Sequence, residues 1–336
     1  MEKQIKLNSN ENPFVFNKQI IEEIKEIAEK LNYNIYPDSS AYLLRKEIAD
    51  YIDKPVENIM AGNGSDELLL MIMLAFGGVD KEIIFPVPTF SMYRKYARVS
   101  GSKTIKIPLN SDFSLPRKKL DEYLDNGKEG VIIICSPNNP TGNLFALSEL
   151  EEIIASTNKI VVIDEAYFEF AEQTAIELTD SYSNLIVLRT LSKAFSLAAL
   201  RIGYLVADLS LIDSLNDVKS PYNCNRFSQQ IARLVLQKRN LMQDVWSQIK
   251  DNREKLYNNL QSLTGITTYS SDANFILFNT RVKEKKVYKL LLEAGIEIRY
   301  FPGLAVTGNS LRVTVGRKQD NKLFVAKLQE VIEWLQ

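Results

Sequence analysis

The sequence predicts an α/β protein: a large domain on a mostly parallel sheet covered by helices, followed by a small α+β domain. Three observations predict it. As far as residue 207, short continuous apolar runs rich in β-branched residues alternate with amphipathic stretches, the pattern of strands buried on both faces by helices. Polar clusters follow several of these runs, at the strand ends where open α/β sheets take their ligands. Beyond residue 263 the pattern changes to a shorter set of strands and helices.

In chain order, residues 5–14 are polar, include Pro13 and read as extended. Asn17 is placed to cap a helix over 18–31, in which Ile20, Ile24, Ile27 and Leu31 recur at helical spacing. Tyr36-Pro37-Asp38 breaks it, and a second helix turns Leu43, Leu44, Ile48 and Tyr51 inward. Strands are expected at 82–85, 104–107, 131–134, 160–163, 185–188 and 204–207, with helical stretches such as 147–156 between most of them. A long helical stretch, broken once, runs from 227 towards 263. Strands at 275–278, 296–299 and 311–315, with helices at 286–294 and 319–335, complete the small domain. The expected organisation is an N-terminal segment, 1–30, packed with the small domain, then a large domain over 31–245 and a small one over 246–336.

Composition excludes several function classes. The apolar share of 45%, charged share of 25% and net charge of −1 describe an ordinary globular protein, with nothing that points to nucleic acid or a membrane surface. No apolar run approaches the roughly 20 residues of a membrane helix. The N-terminus, Met1 to Lys6, leads into polar sequence, so no signal peptide is expected. Cys135 and Cys224 are too few for a disulfide framework or a metal cluster and read as reduced thiols of a cytoplasmic protein. The chain has no histidine. That excludes histidine-based triads and most zinc sites. Lysine, tyrosine, carboxylates or a cofactor must then carry protons.

Four constellations carry chemistry. Lys193 follows the apolar run 185–188, with Ser192 beside it and Arg201 eight residues on. A hydroxyl and a fixed cation near a lysine suit a Schiff base to a phosphorylated aldehyde, and the plainer alternative is a lysine in a polar loop. Gly62-Asn63-Gly64-Ser65-Asp66-Glu67 opens an apolar helix. Glycines and a helix N-terminus offer a phosphate cup, although Ser65 or Asp66 would also serve as an ordinary cap. Ser136-Pro137-Asn138-Asn139-Pro140-Thr141-Gly142 is a turn that can project the Asn139 amide beyond a strand, with a cis Asn139–Pro140 bond fixing its aim. Asp164 ends an apolar strand and needs a partner; a protonated ring nitrogen or a cation such as Arg189 would serve. Tyr167 can present a phenol to the same crevice.

Asn139-Pro140-Thr141-Gly142, Asp164-Glu165-Ala166-Tyr167 and Ser192-Lys193 with Arg201, spaced by 25, 29 and 8 residues, resemble the fold-type-I pyridoxal-phosphate aminotransferases. Within them the chain is similar to the class II family of histidinol-phosphate aminotransferases. That likeness rests on Leu7 to Phe14, Tyr36-Pro37-Asp38, Gly62 to Glu67, Pro88 to Tyr93 and Leu311 to Gly316, and covers nearly the whole chain. The resemblance implies pyridoxal 5'-phosphate as cofactor, with Lys193 as the covalent anchor and Asp164 on the ring nitrogen. Asn139 and Tyr167 would meet the ring hydroxyl, and Phe90 would stack on the ring. Ser65, Asp66, Thr190, Ser192 and Arg201 would surround the phosphate. Tyr36 would reach the neighbouring subunit's cofactor, implying a homodimer. It also implies that Asn10 lines the substrate site, that Arg312 grips the glutamate carboxylate and that Arg299 takes a substrate phosphate. Lys193, Asp164 and Tyr167 are then the catalytic set, with no metal. The sequence departs from the family at Ser196 and Ala199, which replace glycines, at Phe90, which replaces tyrosine, and in a short arm before Asn10. Rival expectations on the same scaffold are an aromatic amino-acid aminotransferase, a threonine-phosphate decarboxylase and a non-catalytic cofactor-binding module.

Overall fold

The architecture comes from a computed structural model, which describes residues 4–336. Strand β1 is Ile5–Lys6. Helix α1, Lys18–Lys30, starts where Asn17 accepts a hydrogen bond from the Ile20 backbone N–H, and α2 spans Tyr42–Ile52. Leu44, Ile48 and Ile52 form the buried face of α2. Leu43 was expected there but is 51% exposed, because a 3.6-residue period that buries 44, 48 and 52 turns its neighbour outward.

There follow β2 Ile59–Gly62, α3 Ser65–Phe76, β3 Glu82–Val87, α4 Met92–Val99, β4 Lys103–Pro108, α5 Arg117–Leu124, β5 Gly130–Cys135, α6 Leu147–Ala155, β6 Ile160–Asp164, β7 Leu185–Thr190, β8 Gly203–Ala207 and α7 Leu209–Asn216. The seven-stranded sheet has the order β2-β8-β7-β6-β5-β3-β4. Only β8 runs against its neighbours, β2 and β7. Alternation along each strand explains why the runs are apolar throughout. Ile83, Phe85, Val131, Ile133, Val162 and Ile186 face α3, α4 and α7. Ile84, Ile132, Ile134, Val161, Ile163 and Leu185 face α5 and α6.

Helices α8 Arg226–Gln237 and α9 Arg239–Gln261 divide the expected long helical stretch in two, and residue 245 lies inside α9. Then come β9 Ile266–Thr268, β10 Phe275–Thr280, α10 Glu284–Glu293, β11 Ile296–Glu297, β12 Arg299–Leu304, β13 Gly308–Thr314 and α11 Lys318–Leu335. A four-stranded sheet has the order β12-β13-β10-β9. The single strand expected at 296–299 is two: β11 pairs with β1, and β12 joins β13. The break falls at Ile298, which is buried. The N-terminal segment is tied to the small sheet again where the Thr314 N–H donates to the Leu7 carbonyl at 2.8 Å, whereas α1 packs on α8. Among the described residues no helix is long and apolar enough to cross a membrane.

Candidate active site

Parallel pairing sets the ends of β5, β6 and β7 side by side: Cys135 is in register with Asp164, and Asp164 with Leu188. The turns that leave these ends line one cavity of about 350 Å³. Its walls include Asn10, Ser65, Asp66, Phe90, Asn139, Asp164, Tyr167, Thr190, Ser192, Lys193, Arg201, Arg299 and Arg312. Sequence separation between these residues reaches three hundred positions, and the fold brings them together. Tyr36 does not line this cavity. It is 75% exposed and stacks on Tyr222 at 4.6 Å between ring centroids.

On one wall, Asp164 ends β6 and is buried. Its Oδ2 accepts the Tyr93 hydroxyl at 2.6 Å and its Oδ1 accepts the Ala166 N–H at 3.2 Å. Burial raises its pKa to about 6, against the lowering effect of these two donors. Among the described residues no cation is paired with it. Arg189, the alternative partner expected from sequence, turns instead to Glu165, with Nη2 2.8 Å from the carboxylate. Arg189 also lies over the Phe168 ring at 3.5 Å, and Glu165 accepts further bonds from Thr174 and the Ala175 N–H.

Tyr167 receives two amide donors, Asn139 Nδ2 at 3.2 Å and Asn10 Nδ2 at 3.0 Å. The bond before Pro140 is cis, as are those before Pro88 and Pro137. Asn139 Oδ1 accepts from Arg312, which also donates to the Asn8 carbonyl at 2.8 Å. Arg312 Nε is buried without a partner. Arg312 sits over Phe275 and Phe301, 5.0 and 5.4 Å from the ring centroids.

At the other end of the cavity the N-terminus of α3 meets Arg201. The N-cap position is Gly64, and among the described residues no side chain caps this helix. Ser65 and Asp66 lie inside its first turn, so neither plays the capping role expected of them, and the N–H groups there stay open to an acceptor. Gly64 has φ +82°, and a Cβ there would come 2.7 Å from the Arg201 guanidinium. Glycine thus allows the close approach. Arg201 pairs with Asp66 at 3.2 Å, while Thr190 Oγ1 accepts the Ser192 N–H at 3.1 Å.

Lys193 lies between the two ends, its Nζ 2.9 Å from the Ser9 carbonyl. Burial, then the nearby Arg312 charge, lower its pKa from 10.5 to about 8. Ser196 has φ +58°, a left-handed backbone that favours glycine, and its hydroxyl donates to the Phe14 carbonyl at 3.1 Å. Sequence reasoning passed over Tyr93 as a site residue. A tyrosine on an amphipathic helix reads as core, and only the fold shows its hydroxyl against Asp164.

A half-buried lysine, an open helix N-terminus with an arginine and a buried carboxylate share one cavity, a donor set that suits an anionic, electrophilic ring cofactor. The sequence model of the family described as aminotransferase class I and II matches residues 2–328, and the chain belongs to that family. It is 38% identical to the histidinol-phosphate aminotransferase of Caldanaerobacter subterraneus subsp. tengcongensis over 97% of this chain and 93% of that protein. It is 39% identical to histidinol-phosphate aminotransferase 1 of Carboxydothermus hydrogenoformans over 98% and 93% of the two chains. The crystal structure of the Sinorhizobium meliloti histidinol-phosphate aminotransferase in complex with pyridoxal-5'-phosphate shares the fold, with a TM-score of 0.90, 21% identity and coverage of 99% of this chain and 92% of that one.

The cofactor the family implies fits the donors present. Asp164 lacks a cation, and a protonated ring nitrogen is one. The open α3 N-terminus, Ser65, Thr190, Ser192 and Arg201 offer hydrogen-bond donors and a positive charge to a phosphate. Lys193 lies within the same cavity.

Proposed function

We propose that this aminotransferase uses pyridoxal 5'-phosphate to move an amino group between L-histidinol phosphate and 2-oxoglutarate, as a cytoplasmic homodimer. One observation carries the cofactor reading: Asp164, a buried carboxylate with no cation, shares a cavity with Lys193. When bound, the cofactor would supply an aldehyde to carry the amino group and a ring that acts as an electron sink.

The chain's own residues do the rest. Asp164 would hold the ring nitrogen protonated. Asn139 and Tyr167 would orient the ring through its hydroxyl oxygen, and Phe90 would pack against it. Ser65, Asp66, Thr190, Ser192 and Arg201 would hold its phosphate, with Arg201 offsetting the Asp66 charge. The Lys193 amine, with its pKa near 8, takes the substrate's α-proton and returns it, work that in many enzymes falls to histidine. Asn10 holds Tyr167 from the substrate side. Arg312 and Arg299 line the same cavity, where planar guanidinium forks suit the carboxylate of glutamate and the phosphate of the partner substrate. The exposed Tyr36, outside its own chain's cavity, is free to complete the site of a second subunit.

In an assay of purified protein with 2-oxoglutarate as acceptor, histidinol phosphate should be used at least about 100-fold more efficiently, by kcat/KM, than phenylalanine. A buried acid group with matched donors is worth about that much. Threonine phosphate should not be decarboxylated. A preference for phenylalanine, or carbon dioxide released from threonine phosphate, would replace this substrate assignment.

A further inference from the structure

We propose that Tyr93 is a positioning residue that sets the protonation state of Asp164, and through it the grip on a protonated ring nitrogen. The inference rests on the cofactor reading above. Tyr93 is the second residue of the short helix α4, in which the other buried residue is Ala97. It is completely buried, and it spends its one hydroxyl donor on Asp164 Oδ2 at 2.6 Å, a separation typical of a charge-assisted bond. Its ring is held edge-on by Phe85 and Phe90, at 5.8 and 5.6 Å. Phe90 is the aromatic wall of the cavity, so one side chain touches both the wall and the carboxylate.

A buried ionised carboxylate needs its lone pairs met. Asp164 has one backbone N–H at 3.2 Å and one phenol at 2.6 Å. Among the described residues no other titratable group that faces it donates to it: Asp66 and Glu165 repel its charge, the Cys135 thiol turns to the Pro137 carbonyl, and the Tyr167 hydroxyl, which accepts from two amides, makes no hydrogen bond to it. Tyr93 is therefore the main donor that keeps Asp164 ionised, and Phe85 and Phe90 hold it in place without competing for the bond.

The test measures cofactor affinity of the apoprotein against pH by quenching of intrinsic fluorescence, for the wild type, Tyr93→Phe, Asp164→Asn and the double variant. In the wild type, affinity should fall as pH drops through about 6, where Asp164 takes a proton. Removing the phenol donor should move that midpoint up by about one to two pH units, the scale of one hydrogen bond to a charged group. The shift should vanish in the Asp164→Asn background, which removes the titrating group but keeps any general effect of losing the hydroxyl. An unmoved midpoint in Tyr93→Phe, or an equal shift in both backgrounds, overturns the proposal. If the wild type fails to bind the cofactor at all, the cofactor reading itself fails, and this role with it. A lowered melting temperature in Tyr93→Phe, with the midpoint unmoved, would mark Tyr93 as structural only and also overturns it.

Discussion

Lys193→Ala should lose transamination by at least about 10,000-fold, the upper range for one positioned proton carrier, because the same variant also loses the covalent anchor. The visible absorbance of bound cofactor should go with it, and added alkylamine should restore part of the rate but not the anchor. Normal turnover and unchanged absorbance would remove Lys193 from the mechanism. The environment adds a pH dependence whose sign follows from the charge. A base must be neutral to accept a proton, and Lys193 is lowered to about 8 by burial and by Arg312. At pH 7 about one amine in ten is neutral, against about three in ten thousand for an unperturbed lysine. Capture of the cofactor by the apoprotein should therefore speed up as pH rises through about 8 and level off above it. In Arg312→Leu one of the lowering charges is gone, so the same curve should move to higher pH. Stopped-flow absorbance at 6 to 10 reads both, and a flat curve would contradict the assigned environment.

The second large effect is on stability. Arg189→Met should cost about 3–5 kcal/mol, because it leaves Glu165 as an ionised carboxylate buried without its cation. Arg189 and Glu165 are each nearly inaccessible, and they join β7 to the turn after β6 through two contacts at 2.8 and 2.9 Å. Arg189→Met with Glu165→Gln removes both charges together, and should recover most of the loss. Urea unfolding of the four proteins measures this. A double variant as unstable as the sum of the two singles would mean that the pair does not act as a unit.

Much of the fold could be read from residue order because its strands are short runs of isoleucine, valine and leucine, which leave few alternatives to a buried parallel sheet. Ile59 to Gly62 was missed for the converse reason. Its Met60, Ala61 and Gly62 have weak strand preference, and pairing with β8 supplies what propensity does not. β9 is three residues long and half exposed, so it has no pattern of its own. Lys193, Asp164, Asn139, Tyr167 and Arg201 could be singled out as site candidates because they fall in short ordered motifs near the ends of apolar runs, and the fold brings them to one cavity. The phenol on Asp164 and the Glu165–Arg189 pair were not, since nothing in a sequence says which side chains meet 24 or 71 positions apart. The cap on α3 was misplaced because serine is a common cap, and the rule cannot see that Gly64 occupies the cap position while Ser65 begins the helix.

The amide of Asn139 has a consequence for how this site can change. Its nitrogen donates to Tyr167 and its oxygen accepts from Arg312, so both ends are committed and the group cannot rotate without breaking both contacts. Substitutions at positions 139, 167 and 312 are therefore epistatic. The order in which they arise decides which remain tolerable, and any change at Arg312 releases the amide that holds the phenol.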